Sequence, residues 1–445
     1  MTEGSPIKSL ILFAIPLILG DFLQQIYNAT DTIIVGRYVS KQALAAIAQT
    51  NSPINMFLGF SIGISLGCTV CLSRVFGEKN REKMVDALNT VLRLMLIVAA
   101  VITAVSTSIV PFILKIAGTN ADAYQDAKTY LTIYFAGISS QIAYNIFAGI
   151  LRSVGDSRRP LIVLGITAVM NIGGDLLLVR VFDMGIAGTA IATVAAQAIS
   201  AIILWFMIRS ADAFDTPIVR RMPINMSFVK NILSTGIPYA VQRAVLNFSN
   251  TTILSYGNSL GSDFMAAWGV CNKLDAVLSN TLTDLTSALT TFVSQNIGAH
   301  KLDRIKQGTR ATLLLAISID AFLVAMLIIF TKPLVGLFTP EPQIAEYAKL
   351  IFCVCLSVHP LTAISNAMSG KLRGMGSSTF TMVLVVFNFV AVRQLYLHLL
   401  WDRFAGMTFF CTVFPVVYIF HSTGCVIMER ILSPRILSHI YDTEV

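Results

Sequence analysis

The sequence predicts an all-α integral membrane protein of twelve transmembrane helices, arranged as two six-helix bundles related by an internal parallel repeat. Three observations carry this. Hydrophobic residues make up 55% of the chain and charged residues only 13%, with a mean hydropathy of +0.73, well above a soluble globular composition. Apolar spans of about 20 residues, the length needed to cross the hydrocarbon as a helix, recur from end to end. Finally, the second half repeats the first in register.

The first six spans run approximately over Ile11–Val35, Pro53–Leu72, Ala87–Pro111, Tyr130–Leu151, Pro160–Val179 and Met184–Ile208. After a longer polar stretch come Ile232–Tyr256, Ala266–Val293, Ala311–Phe330, Tyr347–Met368, Phe380–Leu400 and Ala405–Met428. "SRVFGEKNREK" (Ser73–Lys83), after span 2, aligns with "SQNIGAHKLDR" (Ser294–Arg304), after span 8, at an offset of 221 residues. "ILRSVGDS" (Ile150–Ser157) meets "KLRGMGSS" (Lys371–Ser378) at the same offset. "IPLILGDFLQQIYNAT" meets "IPYAVQRAVLNFSNTT" at 222, pairing Pro16 with Pro238 and Asn28 with Asn250. The repeat covers an even number of crossings, so the halves share one orientation. The expected organisation is an N-terminal lobe over 1–208, a cytoplasmic linker over 209–230, and a C-terminal lobe with a short cytoplasmic tail over 231–445.

The net charge of +8 reflects topology rather than a nucleic-acid partner. Of the 32 Lys and Arg residues, 20 fall at Lys8, in the loops after spans 2, 4, 6, 8 and 10, and in the tail. The alternate loops hold Arg37, Lys41, Lys115, Lys128, Arg180, Lys332 and Arg403. The positive-inside rule then places both termini in the cytoplasm of a multi-pass protein of the cell (inner) membrane. Span 1 is too long for a cleaved signal peptide. Seven cysteines, mostly within spans, give no disulfide framework, and neither the Cys68/Cys71 nor the Cys353/Cys355 pair has partners that would complete a metal site. No HExxH, GxSxG or Gly-rich phosphate loop occurs, so the chain is not expected to be an enzyme, and no cofactor is implied.

Two related halves suit a transporter working by alternating access about a shared site. The motifs resemble one family across nearly the whole chain. They are "IPLILGDFLQQIYNATDTIIVGR" in span 1, "GEKNREK" and "GAHKLDR" after spans 2 and 8, "LRSVGDSRRP" and "KLRGMGSS" after spans 4 and 10, "MNIGGDLLLV" in span 5, "GIAGTAIAT" in span 6 and "GIPYAVQ" in span 7. Together they resemble the multidrug and toxic compound extrusion (MATE) transporters, of the bacterial DNA-damage-inducible (DinF-like) type. The resemblance implies a monomeric antiporter that exports small amphipathic, often cationic organic compounds from the lipid bilayer in exchange for H⁺ or Na⁺. A lipid-linked precursor flippase of the same superfamily is the alternative, since Arg243, Lys273 and Arg393 are intramembrane cations.

A carboxylate inside an apolar span is costly unless paired, solvated or neutralised, and so marks function. Asp31 lies six residues in from Arg37, and Asp175 five in from Arg180, depths of about 9 and 8 Å. Asn171 shares a helix face with Asp175, and Thr193 on span 6 reaches a similar level. The resemblance implies that Asp31, Asn171, Asp175 and Thr193 bind the coupling cation. Their hard oxygens suit Na⁺, and two close acids can instead share a proton; no other metal is implied. The pair is not duplicated, because Asp31 aligns with Ile253 and Asp175 with Tyr396.

Candidates for the substrate cavity are Gln24, Asn28, Gln141, Tyr144 and Asn145 in the first half, with Gln242, Asn250, Lys273 and Asp275 in the second. Lys273 and Asp275, two residues apart, point to different sides of their helix. Pro16 and Pro238 remove backbone hydrogen bonds from their helices, and the resemblance makes Pro16 a candidate hinge. Gly59, Gly63 and Gly67 form a small-residue stripe suited to close helix packing.

Overall fold

In hydrocarbon every backbone N–H and C=O must be satisfied within the chain, which leaves long apolar segments only the helix or the closed barrel. The computed structural model describes residues 1–211 and 223–442, and it is helical throughout. Helices α1 (Pro6–Tyr38), α2 (Lys41–Gly77) and α3 (Arg81–Ser108) are followed by a short α4 (Val110–Ile116). Span 4 is formed by α5 (Ala121–Ala136) and α6 (Ile138–Ser153), span 5 by α7 (Arg158–Asp175) and a π-helical turn over Leu176–Val181, and span 6 by α8 (Gly185–Arg209). The second half holds α9 (Met226–Asn258), α10 (Ser262–Gly298), α11 (Leu302–Ile329), α12 (Thr331–Gly336), α13 (Pro342–Cys355) and α14 (Pro360–Gly374). Then come α15 (Ser378–Val386), a second π turn over Phe387–Val392, α16 (Arg393–Phe404) and α17 (Met407–Asp442). Within the expected linker, residues 212–222 lie outside the described residues.

Local chemistry sets the ends. Ser40 and Asn80 accept hydrogen bonds from the amides of Ala43 and Lys83, capping α2 and α3. Proline at the first or second position opens α4, α13 and α14, where its missing N–H costs nothing. Gly137 interrupts span 4, and a Cβ there would collide with Val194 of α8. Helices α1 and α9 continue through Pro16 and Pro238.

Among the described residues, eight helices are long and apolar enough to cross a membrane, and α13 with α14 forms a further span bent by 51°. The other three expected spans fall short for local reasons. Span 4 is split at Gly137 into two segments of 16 residues. Helix α9 carries Gln242, Arg243, Asn247 and Asn250, and α10 carries Asn272, Lys273, Asp275 and Asp284.

The chain divides into two compact units, Leu12–Ala240 and Met1–Ile11 with Val241–Val445. Their interiors repeat the same bonds. In the first unit, Thr69 donates to the Gly149 carbonyl at 3.2 Å and Ser73 to that of Ser153 at 3.2 Å, tying α2 to α6. In the second, Thr290 donates to Gly370 at 3.1 Å and Ser294 to Gly374 at 2.9 Å, tying α10 to α14. Every donor and acceptor is displaced by the 221-residue offset read from sequence. Backbone geometry repeats too: Lys79 and His300 both have φ of 55°, and Gly155 and Gly376 have φ of 92° and 86°.

Each unit also takes in the start of a helix whose remainder belongs to the other. Residues 1–4 are held by carbonyl contacts to the second unit's α10–α11 turn, with Arg304 donating to Gly4 at 2.8 Å and Lys301 to Thr2 at 3.0 Å. In the first unit, Gly236 of α9 lies against Gly63 of α2, where a Cβ on Gly236 would stand 2.7 Å from the Gly63 carbonyl oxygen.

Candidate functional site

The first unit gathers a group of polar oxygens on three helices. Asp31 projects from α1, while Asn171 and Asp175 stand one turn apart at the end of α7. The π turn begins directly after Asp175. Such a turn admits an extra residue per coil and is frequent at functional positions. Asp175 and Asn171 are 0% and 1% exposed. Asn171 Nδ2 donates to Thr193 Oγ1 on α8 at 3.3 Å, and the Asp31 and Asp175 carboxyl groups lie close enough to interact.

The oxygens left over define the chemistry. Asp31 Oδ1, both carboxyl oxygens of Asp175 and Asn171 Oδ1 are buried without a hydrogen-bond donor. Buried acceptors without donors are expensive, and two facing carboxylates add repulsion. A proton shared between the acids, or a small hard cation ligated by these oxygens, removes both penalties. The donor set thus fits Na⁺ or H⁺. All four residues selected from sequence for cation binding come together here.

Sequence reasoning missed a ring of tyrosines around this group. Tyr27, one turn before Asp31, and Tyr130 and Tyr134 of α5 border the acids, the last two with their rings stacked at 6.1 Å. Their signal was the four-residue spacing, which puts Tyr27 on the face of Asp31 and Tyr130 above Tyr134.

The other candidates are dispersed. Gln24 and Asn28 are exposed on α1, and Tyr144 is half-buried. Gln141 is buried, and Asn145 Nδ2 donates to Ser61 Oγ at 3.1 Å. Gln242 accepts from Thr381 at 3.4 Å, and Asn250 accepts from Arg393 Nη1 at 2.9 Å. Lys273 is exposed, with its ammonium 5.8 Å from the centre of the Phe338 ring. Asp275, on another side of α10, lines a pocket within the second unit. All seven cysteines are free thiols.

Donor-less acid oxygens inside an all-helical, internally repeated membrane scaffold define the class of secondary, ion-coupled transporters. The MatE family profile matches the chain twice, over residues 16–177 and 238–395, and the chain belongs to that family. It is a membrane transporter of that family. It is 26% identical over 389 residues to the probable multidrug resistance protein YoeA of Bacillus subtilis, covering 85% of this chain and 84% of that one. It is 27% identical over 401 residues to the probable multidrug resistance protein NorM of Thermotoga maritima, covering 87% and 84%. Its fold matches the outward-facing structure of a multidrug resistance MATE transporter of the MOP superfamily, with a TM-score of 0.87 at 19% identity over 99% of this chain and 97% of that one.

Proposed function

We propose that Asp31, Asn171, Asp175 and Thr193 form the coupling-cation site, and that H⁺ or Na⁺ bound there drives export of small amphipathic organic cations. The observation that supports this most is the set of four buried oxygens with no donor. They are the acceptors a proton or a desolvated Na⁺ replaces water to fill. Tyr27 borders the acids from one turn before Asp31, and Pro16 is the hinge of α1. The two lobes are residues 1–208 and 231–445, joined by a cytoplasmic linker over 209–230. Both termini are cytoplasmic and the protein works as a monomer. The substrate-cavity candidates stand as two sets, Gln24, Asn28, Gln141, Tyr144 and Asn145 in the first unit and Gln242, Asn250, Lys273 and Asp275 in the second. Placement among the DinF-like members rests on the motif set alone.

Arg393 does not favour the flippase alternative. It is 2% exposed, bonds Asn250 and Ser249, and lies 5.1 Å from the Phe414 ring centre. Its charge is engaged by partners of its own unit instead of being presented to a pyrophosphate.

The test is purified protein in liposomes, given an imposed pH or Na⁺ gradient and scored for movement of a fluorescent organic cation. One gradient should drive transport. If neither does while a lipid-linked sugar is translocated, the efflux reading fails. Tyr27→Phe should raise the cation concentration for half-maximal transport about three- to tenfold, the worth of one hydrogen bond, with maximal rate little changed. An unaltered half-saturation would place Tyr27 outside the site.

A further inference from the structure

The turn between α10 and α11 carries the motif "GAHKLDR", which the proposed site does not use. Its side chains form a cradle for residues 1–4. Arg304 donates through Nη1 to the Gly4 carbonyl at 2.8 Å, and through Nη2 to the carbonyls of Met1 at 3.1 Å and Glu3 at 3.2 Å. Lys301 donates to the Thr2 carbonyl at 3.0 Å. The guanidinium is itself aimed, because its Nε donates to Asn296 Oδ1 at 3.1 Å and its central carbon lies 5.7 Å from the centre of the Phe292 ring. Asn296 and Phe292 are fully buried. Four consecutive carbonyls are thus held by two cations, all within the second unit.

The internal repeat shows that the scaffold does not require this cradle. At the 221-residue offset, Asn296, Ala299, Lys301 and Arg304 correspond to Val75, Glu78, Asn80 and Lys83 of the turn between α2 and α3. The two turns share a backbone, with φ of 55° at both Lys79 and His300. In the first turn the chemistry closes on itself. Lys83 pairs with Glu78 at 2.9 Å, Asn80 caps α3 by accepting from the Lys83 amide, and Val75 is buried with no polar side-chain atom to offer. In the second turn alanine stands where the first has its glutamate, asparagine supplies the oxygen that aims the guanidinium, and Lys301 puts a second cation where the first has its cap. The four differences act in one direction, turning an internally paired turn into a receptor for backbone carbonyls. Hydrogen bonds from a cation are stronger than those between neutral groups, so a short segment with no buried side chain can be held there.

Helix α1 is counted with the second unit as far as Ile11 and with the first from Leu12. A clamp on residues 1–4 therefore ties the start of α1 to one unit while its remainder belongs to the other. The repeat partner α9 is anchored by other residues, with Asn225, just ahead of it, donating to Asp86 at 2.7 Å and to Thr90 at 3.2 Å in the first unit. We propose that the α10–α11 turn is a docking site for the chain's own residues 1–4, and that it works as a latch that makes the start of α1 follow the second unit. Bending of α1 is then confined to the stretch after Ile11, where Pro16 lacks a backbone N–H. The docking stands on these contacts alone, whereas its effect on transport rests on the export reading.

The decisive variant is Ala299→Glu, which gives the second turn the carboxylate that the first pairs with its cation and leaves every cradle side chain in place. In full-length protein in lipid nanodiscs, hydrogen exchange is followed by mass spectrometry in peptides spanning residues 1–12. Ala299→Glu should draw Arg304 away and speed exchange there about tenfold, as should Arg304→Gln, and Glu78→Ala in the first turn should leave it unchanged. In proteoliposomes, Ala299→Glu, Arg304→Gln and removal of residues 2–4 should each lower the maximal gradient-driven rate several-fold, with the half-saturating concentration of the driving ion and the thermal midpoint unchanged. Ala299→Glu combined with the removal should be no worse than either alone, because both open one contact. Removal of residues 2–4 leaves the turn intact, so the idea stays testable if Arg304→Gln fails to fold. Exchange in residues 1–12 that is indifferent to both Ala299→Glu and Arg304→Gln overturns the docking, and a full transport rate in every variant overturns the latch. Exchange differences that persist in protein showing no gradient-driven transport uphold the docking and overturn the export reading instead.

Discussion

Asp31→Asn and Asp175→Asn should each abolish gradient-driven efflux from proteoliposomes while leaving purification yield near that of the unmodified protein. Antiport needs a group whose charge is cancelled when the driving ion binds and restored when it leaves. A ligand shifts a conformational equilibrium only by its differential affinity for the two states. An amide nearly matches the carboxyl in shape yet cannot take up a proton or neutralise Na⁺, so the driving ion loses that differential affinity. Folding should survive, because a neutral amide is cheaper to bury than a carboxylate, and the facing pair loses its repulsion. The two acids act as one site, so the double variant should be scarcely worse than either single one. Robust gradient-driven export by both single variants would move the coupling site elsewhere, and the second unit's cluster, in which His359 lies 2.8 Å from Asp320 and 3.5 Å from Asp275, would then be the place to look.

The proposed cation site was legible because its signal is local. A carboxylate in an apolar span stands out against its neighbours, and counting inward from Arg37 and Arg180 gives Asp31 and Asp175 a common depth without knowledge of which helices touch. Asn171 then follows from one helical turn. The tyrosines were not found, since an aromatic ring in a membrane helix reads as ordinary apolar lining until the fold sets it beside an acid, as it sets Tyr27, Tyr130 and Tyr134.

The second unit shows the limit more sharply. Asp320, within "ISIDAFLV", carries the same signal as Asp31 and could have been selected by the same rule. Its meaning still required His359, 39 residues later, and Asp275, 45 residues earlier, brought together by three helices. No periodicity encodes that meeting. Lys273 gives the converse case: adjacent in sequence to the acid cluster, it turns to Phe338, because residues two apart on a helix face different ways. The repeat, by contrast, was fully visible as an offset, and Thr69 with Thr290 and Ser73 with Ser294 reproduce it bond for bond.

Gly67→Val should prevent correct packing of the first unit, and Gly59→Ala should leave it intact. The three glycines of the α2 stripe look equivalent in sequence, but the structure separates them. A Cβ on Gly67 would fall on the Ile232 carbonyl of α9, and one on Gly63 would stand 2.8 Å from the Ala240 Cβ, whereas one on Gly59 meets nothing within 4 Å. The obstacles at Gly67 and Gly63 include backbone atoms of a neighbouring helix, which cannot swing aside as a side chain does. Relief requires the helices to separate along the whole contact, forfeiting the close packing that drives association in a membrane. Overpacking a tight core costs typically 1–3 kcal/mol, and a clash with main chain puts Gly67→Val at about 3 kcal/mol or more, read as lost monodisperse yield and a lowered thermal midpoint. Gly236→Val, which attacks the same contact from α9, should reproduce it, and combining the two should cost less than their sum because both destroy one interface. Gly59→Ala should be neutral or mildly stabilising, since alanine is the better helix former by about 1 kcal/mol. Normal yield and thermal midpoint for Gly67→Val would show that α2 and the start of α9 do not pack at this distance in the membrane.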